Sequence, residues 1–175
     1  MILHPFIIPL TFQACTRKAI LEGLAWEGTR DPTLLTVAQQ IAASTPADWH
    51  ARADAALRWV HTHLRYFPDR PGVEEYAPVP WVLSHGGDDC DGLSVVLAAL
   101  CWLLGVPCEI VWVTQQKLDK DGRLVPLPQN HVSVMVGPDS LHLETWAEAS
   151  VAGAYLGESP YDAIVRLPRH RSVVF

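Results

Sequence analysis

His85-Gly86-Gly87-Asp88-Asp89-Cys90-Asp91-Gly92-Leu93-Ser94-Val95-Val96-Leu97-Ala98-Ala99-Leu100-Cys101-Trp102-Leu103-Leu104 is the stretch that decides the fold. Its first half reads as a tight, flexible turn, and its second half is almost wholly apolar. A helix that is apolar all round is a buried helix. Asp88 or Asp89 can cap it, and Gly105-Val106-Pro107 stops it. Cys90 therefore stands in the first turn of a buried helix. Free backbone N–H groups and the positive end of the helix dipole stabilise a thiolate there. The same amides can bind the oxyanion that forms when sulfur attacks an acyl carbon. Asp88, Asp89 and Asp91 act the other way, because nearby anions raise a thiol pKa. Cys90 needs a cationic partner.

Strands downstream can supply one. Residues 109–114, 131–136 and 141–145 read as strands, separated by turns at Asp119-Lys120-Asp121-Gly122 and Gly137-Pro138-Asp139-Ser140. With a four-residue loop at 137–140, Val136 pairs with Leu141 and Ser133 lies opposite Glu144. His131 and Glu144 are then diagonal neighbours, with Cβ atoms roughly 7 Å apart, within reach of a His–carboxylate hydrogen bond. Val132, Val134, Val136, Leu141 and Leu143 make the opposite face apolar, which supports that register. A helix-start Cys with a His–acid pair on a sheet follows the nucleophile–base–orienter logic of acyl transfer. His142 is the rival base and Asp139 the rival orienter. Cys101 and Cys108, in apolar runs, read as inert buried thiols.

Upstream, residues 1–30 read as an arm or short strand and then a weak helix near 17–26. Leu34, Val37, Ala38 and Ile41 recur at helical spacing. Thr45-Pro46-Ala47-Asp48 reads as a helix start, with Thr45 as the capping hydroxyl. Trp49, Ala53, Leu57, Val60 and Leu64 form the apolar face of that helix, and 67–80 reads as loop. Helices come first and consecutive strands follow, so the expected class is α+β with an antiparallel sheet.

The chain has 175 residues, one domain's worth, with 49% hydrophobic and 18% charged residues and seven Trp, which excludes disorder. A formal charge of −6 argues against a nucleic-acid partner. No apolar run is long enough to span a bilayer, and Pro5 and Pro9 interrupt the apolar start, which has no basic residue before it, so no signal peptide is expected. Four scattered Cys point to reduced thiols and a cytoplasmic setting. Cys90, Cys101 and Cys108 lack zinc-knuckle spacing. An EF-hand frame through Asp89 and Asp91 puts Gly87 and Ala98 where oxygen ligands are required. No metal and no cofactor are expected.

Gly87-Asp88-Asp89-Cys90-Asp91-Gly92-Leu93-Ser94, Leu97-Ala98-Ala99-Leu100, Leu104-Gly105-Val106-Pro107, Asn130-His131-Val132 and Leu143-Glu144-Thr145 together resemble the transglutaminase-like superfamily. Trp59-Val60, Arg65-Tyr66, Pro68-Asp69, Gly72, Glu75 and Pro78 also resemble its small bacterial and phage-type members. The resemblance covers about residues 30–147. It implies a papain-like core in a single domain over 1–175, with an arm and helix at 1–30, the core at 31–147 and a C-terminal extension at 148–175. It also implies Cys90 as nucleophile, His131 as general base and acid, and Glu144, where the family usually has Asp, as orienter. Tyr66 and Trp81 are candidates for a further oxyanion donor. The implied activity is amide hydrolysis, as a cysteine peptidase or amidase acting on a protein or peptide, with crosslinking as the variant outcome. The competing expectation is a catalytically silent binding or assembly module, in the cytoplasm or in a phage particle. The arm with Phe6, Ile7, Ile8 and Leu10 is expected either to mediate self-association or partner binding, or to complete the sheet.

Overall fold

The computed structural model describes residues 6–7, 14–70, 73–118, 124–143, 145–150 and 156–157. Five helices precede the main sheet, in the α+β order expected. α1 (Ala14–Gly28), α2 (Pro32–Ser44) and α3 (Trp49–His63) are followed by α4 (Val79–His85) and α5 (Cys90–Leu103). Short strands β1 (Phe6–Ile7), β2 (Arg65–Tyr66), β3 (Glu75–Tyr76) and β4 (Gly87–Asp88) lie among them. A four-stranded antiparallel sheet then forms in the order β5 (Cys108–Leu118), β6 (Leu124–Val136), β7 (Thr145–Ala147) and β8 (Leu156–Gly157).

α5 is the hub. Every residue from Asp91 to Cys101 is buried, and the helix packs against the other four helices and against β5 and β6. Arg52 donates from Nη1 to the Leu104 carbonyl at 2.8 Å, satisfying an acceptor at the end of this helix. Val132, Val134 and Val136 lie in the core shared with the helices. On the other face of the sheet Met135 packs with Val111, Leu143 and Trp146. α1 is tied to β5 by a buried ion pair, Lys18 Nζ to Glu109 Oε2 at 3.3 Å.

Several local expectations are corrected. Asp48, not Thr45, caps α3, its carboxylate accepting from the Ala51 N–H at 2.9 Å. Thr45 instead closes α2, where its hydroxyl donates back to the Ile41 carbonyl at 2.6 Å. The 67–80 segment is not loop throughout, since it holds β3 and the start of α4. Pro80 sits in the first turn of α4, a position where proline's missing N–H costs nothing. Part of the N-terminal arm does pair, Phe6 with Tyr76 and Ile7 with Glu75. The expected turn at 119–122 and most of 148–175 lie outside the described residues.

The largest correction is the register beside β6. Val136 pairs with Thr145 rather than Leu141, a shift of four residues, and Leu141 is exposed. Asp139 explains it. Its Oδ1 accepts from the backbone N–H groups of Leu141 at 2.7 Å and His142 at 3.0 Å. Those donors close a local turn instead of entering a ladder, so the strand starts at Thr145.

Candidate active site

Local chain geometry builds the Cys90 end of the site. β2 runs parallel to β4, pairing Arg65 with Gly87 and Tyr66 with Asp88. Gly86 ends α4 with φ 75°, and Gly87 has φ 152° with its Cα against the Arg65 backbone, where a Cβ would lie 1.9 Å from the Arg65 carbonyl oxygen. Only glycine fits that approach. The paired strands deliver the chain to Asp89, whose carboxylate caps α5 by accepting from the Asp91 N–H at 2.9 Å. Cys90 is the first residue of α5, as expected.

Its thiol is held in the neutral form. Burial pushes the Cys90 pKa well above the ordinary thiol value, and the Asp89 and Asp91 charges push it further up. The Val132 backbone N–H lies against the sulfur and pulls weakly the other way. Val132 follows His131 directly along β6.

His131 meets its acid through the corrected register. Continuing the pairing of Val134 with Ala147 places Ser133 opposite Glu148, and His131 becomes the diagonal neighbour of Glu148. His131 Nε2 lies 2.8 Å from Glu148 Oε2. Among the described residues the acid that meets the imidazole is therefore Glu148; Glu144, the acid expected from a four-residue loop, lies outside the described residues. A shift of four preserves the side of the strand, so the diagonal relation survives with a different carboxylate.

Glu148 is fixed on every side. Oε2 also accepts from Trp146 Nε1 at 3.1 Å, and Oε1 accepts from the Ser150 N–H at 3.1 Å and the Ser150 hydroxyl at 2.7 Å. His61 Nε2 contacts its carbonyl oxygen at 2.9 Å. Burial opposes its charge most strongly, yet the hydrogen bond and charge of His131 and the bonds from Ser150 outweigh it and hold the carboxyl below its usual range. An ionised Glu148 accepting from Nε2 fixes the tautomer in which Nδ1 is the acceptor.

The rival assignments separate. His142 Nδ1 lies 2.8 Å from Asp139 Oδ2 on an exposed turn, so both rivals are engaged with each other. Cys101 is fully buried and Cys108 Sγ lies 3.7 Å from the Ala98 carbonyl, which fits their reading as packing thiols. Of the two candidate oxyanion donors, Tyr66 is near the thiol: partial burial and the charges of Cys90 and Asp89 push its phenol up to about 12. Trp81 stacks on His85 within α4, ring centroids 3.9 Å apart. Tyr66 is half exposed beside exposed Phe67, forming an aromatic rim.

Sequence reasoning missed Glu148. Two signals could have found it: a Glu-x-Ser step at Glu148-Ala149-Ser150, and an Asp139 able to hold the chain locally for several residues.

The family comparison matches residues 35–156 to the transglutaminase-like superfamily, and the chain belongs to it. Enzymes of this superfamily work by thiol-dependent acyl transfer on an α+β core, the architecture described here. No curated protein and no solved structure is significantly similar to the chain. No helix among the described residues is long and apolar enough to cross a membrane.

Proposed function

We propose that the protein is a cysteine peptidase or amidase, with Cys90 as nucleophile, His131 as base and acid, and Glu148 as orienter. The observation that carries this is the His131–Glu148 pair at 2.8 Å, set one residue along β6 from the amide that lies against the Cys90 sulfur. A passive scaffold has no need of a buried, fully bonded carboxylate behind an imidazole at that position.

A thiol held neutral is activated during attack rather than before it. His131 takes the thiol proton as sulfur bonds to the amide carbon. The oxygen gains charge, for which the backbone N–H groups of Cys90 and Gly92 at the start of α5 and the Tyr66 hydroxyl are the candidate donors, the Asp91 N–H being taken by Asp89. The C–N bond then breaks, the imidazolium returns the proton to the leaving amine, and a thioester remains on Cys90. Water, deprotonated by His131, attacks the thioester, and the S–C bond breaks to give the acid and the thiol. An amine in place of water yields a crosslink.

One observation favours the silent-module reading, namely the burial and like charge that keep the thiol protonated. Iodoacetamide labelling at neutral pH, with each Cys mapped by mass spectrometry, separates the two without a substrate. The expected result is that Cys90 reacts first and that His131→Ala slows it at least tenfold, the least a general base contributes being about 10². Equal labelling of Cys90 in parent and variant would overturn the enzymatic reading. Ammonia release from a blocked glutaminyl-glycine dipeptide, with and without hydroxylamine, then divides hydrolysis from transfer.

A further inference from the structure

Ser94 is a fully buried hydroxyl in the apolar run of α5, between Leu93 and Val95. The proton transfers at Cys90 do not use it. A serine inside a helix commonly bonds back to a carbonyl one turn earlier on its own helix. Here the Ser94 Oγ donates instead to the Val132 carbonyl on β6, 38 residues away along the chain, at 3.2 Å.

Cys90 and Ser94 stand four residues apart, so they lie on one face of α5. Both reach the backbone of the same residue. The Val132 N–H lies against the Cys90 sulfur, and the Val132 carbonyl accepts from Ser94. In an antiparallel ladder the N–H and C=O of one residue point to the same side, so both groups of Val132 turn away from β5. The pairing of β7 with β6 stops short of them, at Val134 with Ala147. α5 stands where a strand would otherwise continue. His131 is joined to Val132 through the very peptide group whose N–H meets the sulfur.

The rest of the contact between α5 and β6 is apolar, with Leu93, Val96 and Leu97 in one core with Val132, Val134 and Val136. Apolar burial is non-directional. It holds helix and strand together without choosing which peptide group of β6 the first turn of α5 faces. Among the described residues, the Ser94 bond is the one hydrogen bond that a side chain of α5 donates to β6. An alanine would fill nearly the same space. What serine adds is the bond, and its loss leaves the Val132 carbonyl buried without that donor.

We infer that Ser94 is a positioning residue for the acyl transfer: by bonding the Val132 carbonyl it fixes the β6 backbone against the first turn of α5, and so sets where the His131 imidazole stands relative to the Cys90 sulfur. The role rests on the reading of Cys90 and His131 as nucleophile and base. Ser94 touches no substrate and exchanges no proton; it acts through the backbone of Val132. Proton transfer to a general base needs heavy atoms within about 2.6–3.2 Å, and a misplacement of about 1 Å can cost ~10²-fold. A bond that sets helix against strand is therefore felt in the rate more than in the stability.

Iodoacetamide labelling of the full chain, with the rate at each Cys followed by mass spectrometry, tests this in the parent, Ser94→Ala, His131→Ala and the double variant. At neutral pH, Ser94→Ala is expected to slow labelling of Cys90 by at least about threefold, within the ~10²-fold that a 1 Å displacement can cost. The deficit is expected to shrink as pH rises, because a thiolate formed without a base needs no imidazole. Cys101, buried on the same helix, is expected to react no faster than in the parent. On the His131→Ala background, Ser94→Ala is expected to change nothing, since its effect passes through the imidazole. An unchanged or faster Cys90 in Ser94→Ala, with the His131→Ala slowing intact, would overturn the role of Ser94 alone. The same slowing with His131 absent, or faster labelling of Cys101, would mean loosened packing and would equally overturn it. Equal labelling of parent and His131→Ala would overturn both this role and the enzymatic reading. Ser94→Cys, of like size and a weaker donor, serves where Ser94→Ala does not fold.

Discussion

Glu148 holds an imidazole with one carboxylate oxygen and a Ser150 turn with the other, so its two oxygens have separable consequences. Glu148→Gln keeps the shape but replaces the acceptor that fixes the His131 tautomer and stabilises the imidazolium. The expected outcome is a fall in turnover of up to about 10⁴-fold, the loss seen when a triad acid is made a neutral amide. In the same assay Glu144→Gln is expected to stay near the parent rate. A large loss from the Glu144 change with little from Glu148→Gln would move the orienter back. The comparison also measures what the residues alone could reveal. That His131 meets a carboxylate diagonally across a hairpin is readable from strand alternation. Which carboxylate it meets depends on how many residues Asp139 ties into its turn, and side-chain-to-backbone bonds of that kind leave no periodic trace.

At the scale of elements, α5 was legible because nothing but burial explains so apolar a helix, and its cap, Asp89, is one of the two residues able to provide one. α4 was not legible, because Pro78-Val79-Pro80 reads as a breaker, although a proline in the first turn starts a helix as readily as it ends one. The parallel pairing of β2 with β4 was equally hidden, since two-residue strands carry no alternation. The α2–α3 junction offers a direct test of a boundary that sequence and structure place differently. Asp48→Ala removes the carboxylate that accepts from Ala51 and is expected to cost ~1 kcal/mol, as N-cap losses do. In a chain of this size that lowers the unfolding temperature by about 2–4 °C. Thr45→Ala removes only a back-bond to Ile41 at the end of α2 and is expected to cost less. Denaturant or thermal melts of the two variants decide the order, and a larger loss from Thr45→Ala would contradict the assigned cap.

Over the whole molecule, the net charge of −6 is unevenly felt. Carboxylates concentrate around the start of α5, while Glu148 on the sheet is individually satisfied by its donors. The two environments respond to pH in opposite directions. Burial, and then the Asp89 charge, push the Asp88 carboxyl up to about 7. An acid with a raised folded pKa binds its proton more tightly in the folded state. Its contribution is therefore intact below the unfolded value near 4 and is lost as pH rises to about 7. Glu148, held below its usual range, behaves in reverse: its contribution is present above the unfolded value and is lost on acidification through the folded one. Asp88→Asn is accordingly expected to be close to neutral near pH 4. Its advantage over the parent should grow across the window from 4 to 7 and then level off. At about 1.4 kcal/mol per unit, the full window of about three units sets an upper bound of ~4 kcal/mol, with relaxation and water entry reducing it. Melting curves of parent and variant at four or five pH values measure it. A difference that is flat with pH would mean that Asp88 is as well solvated folded as unfolded.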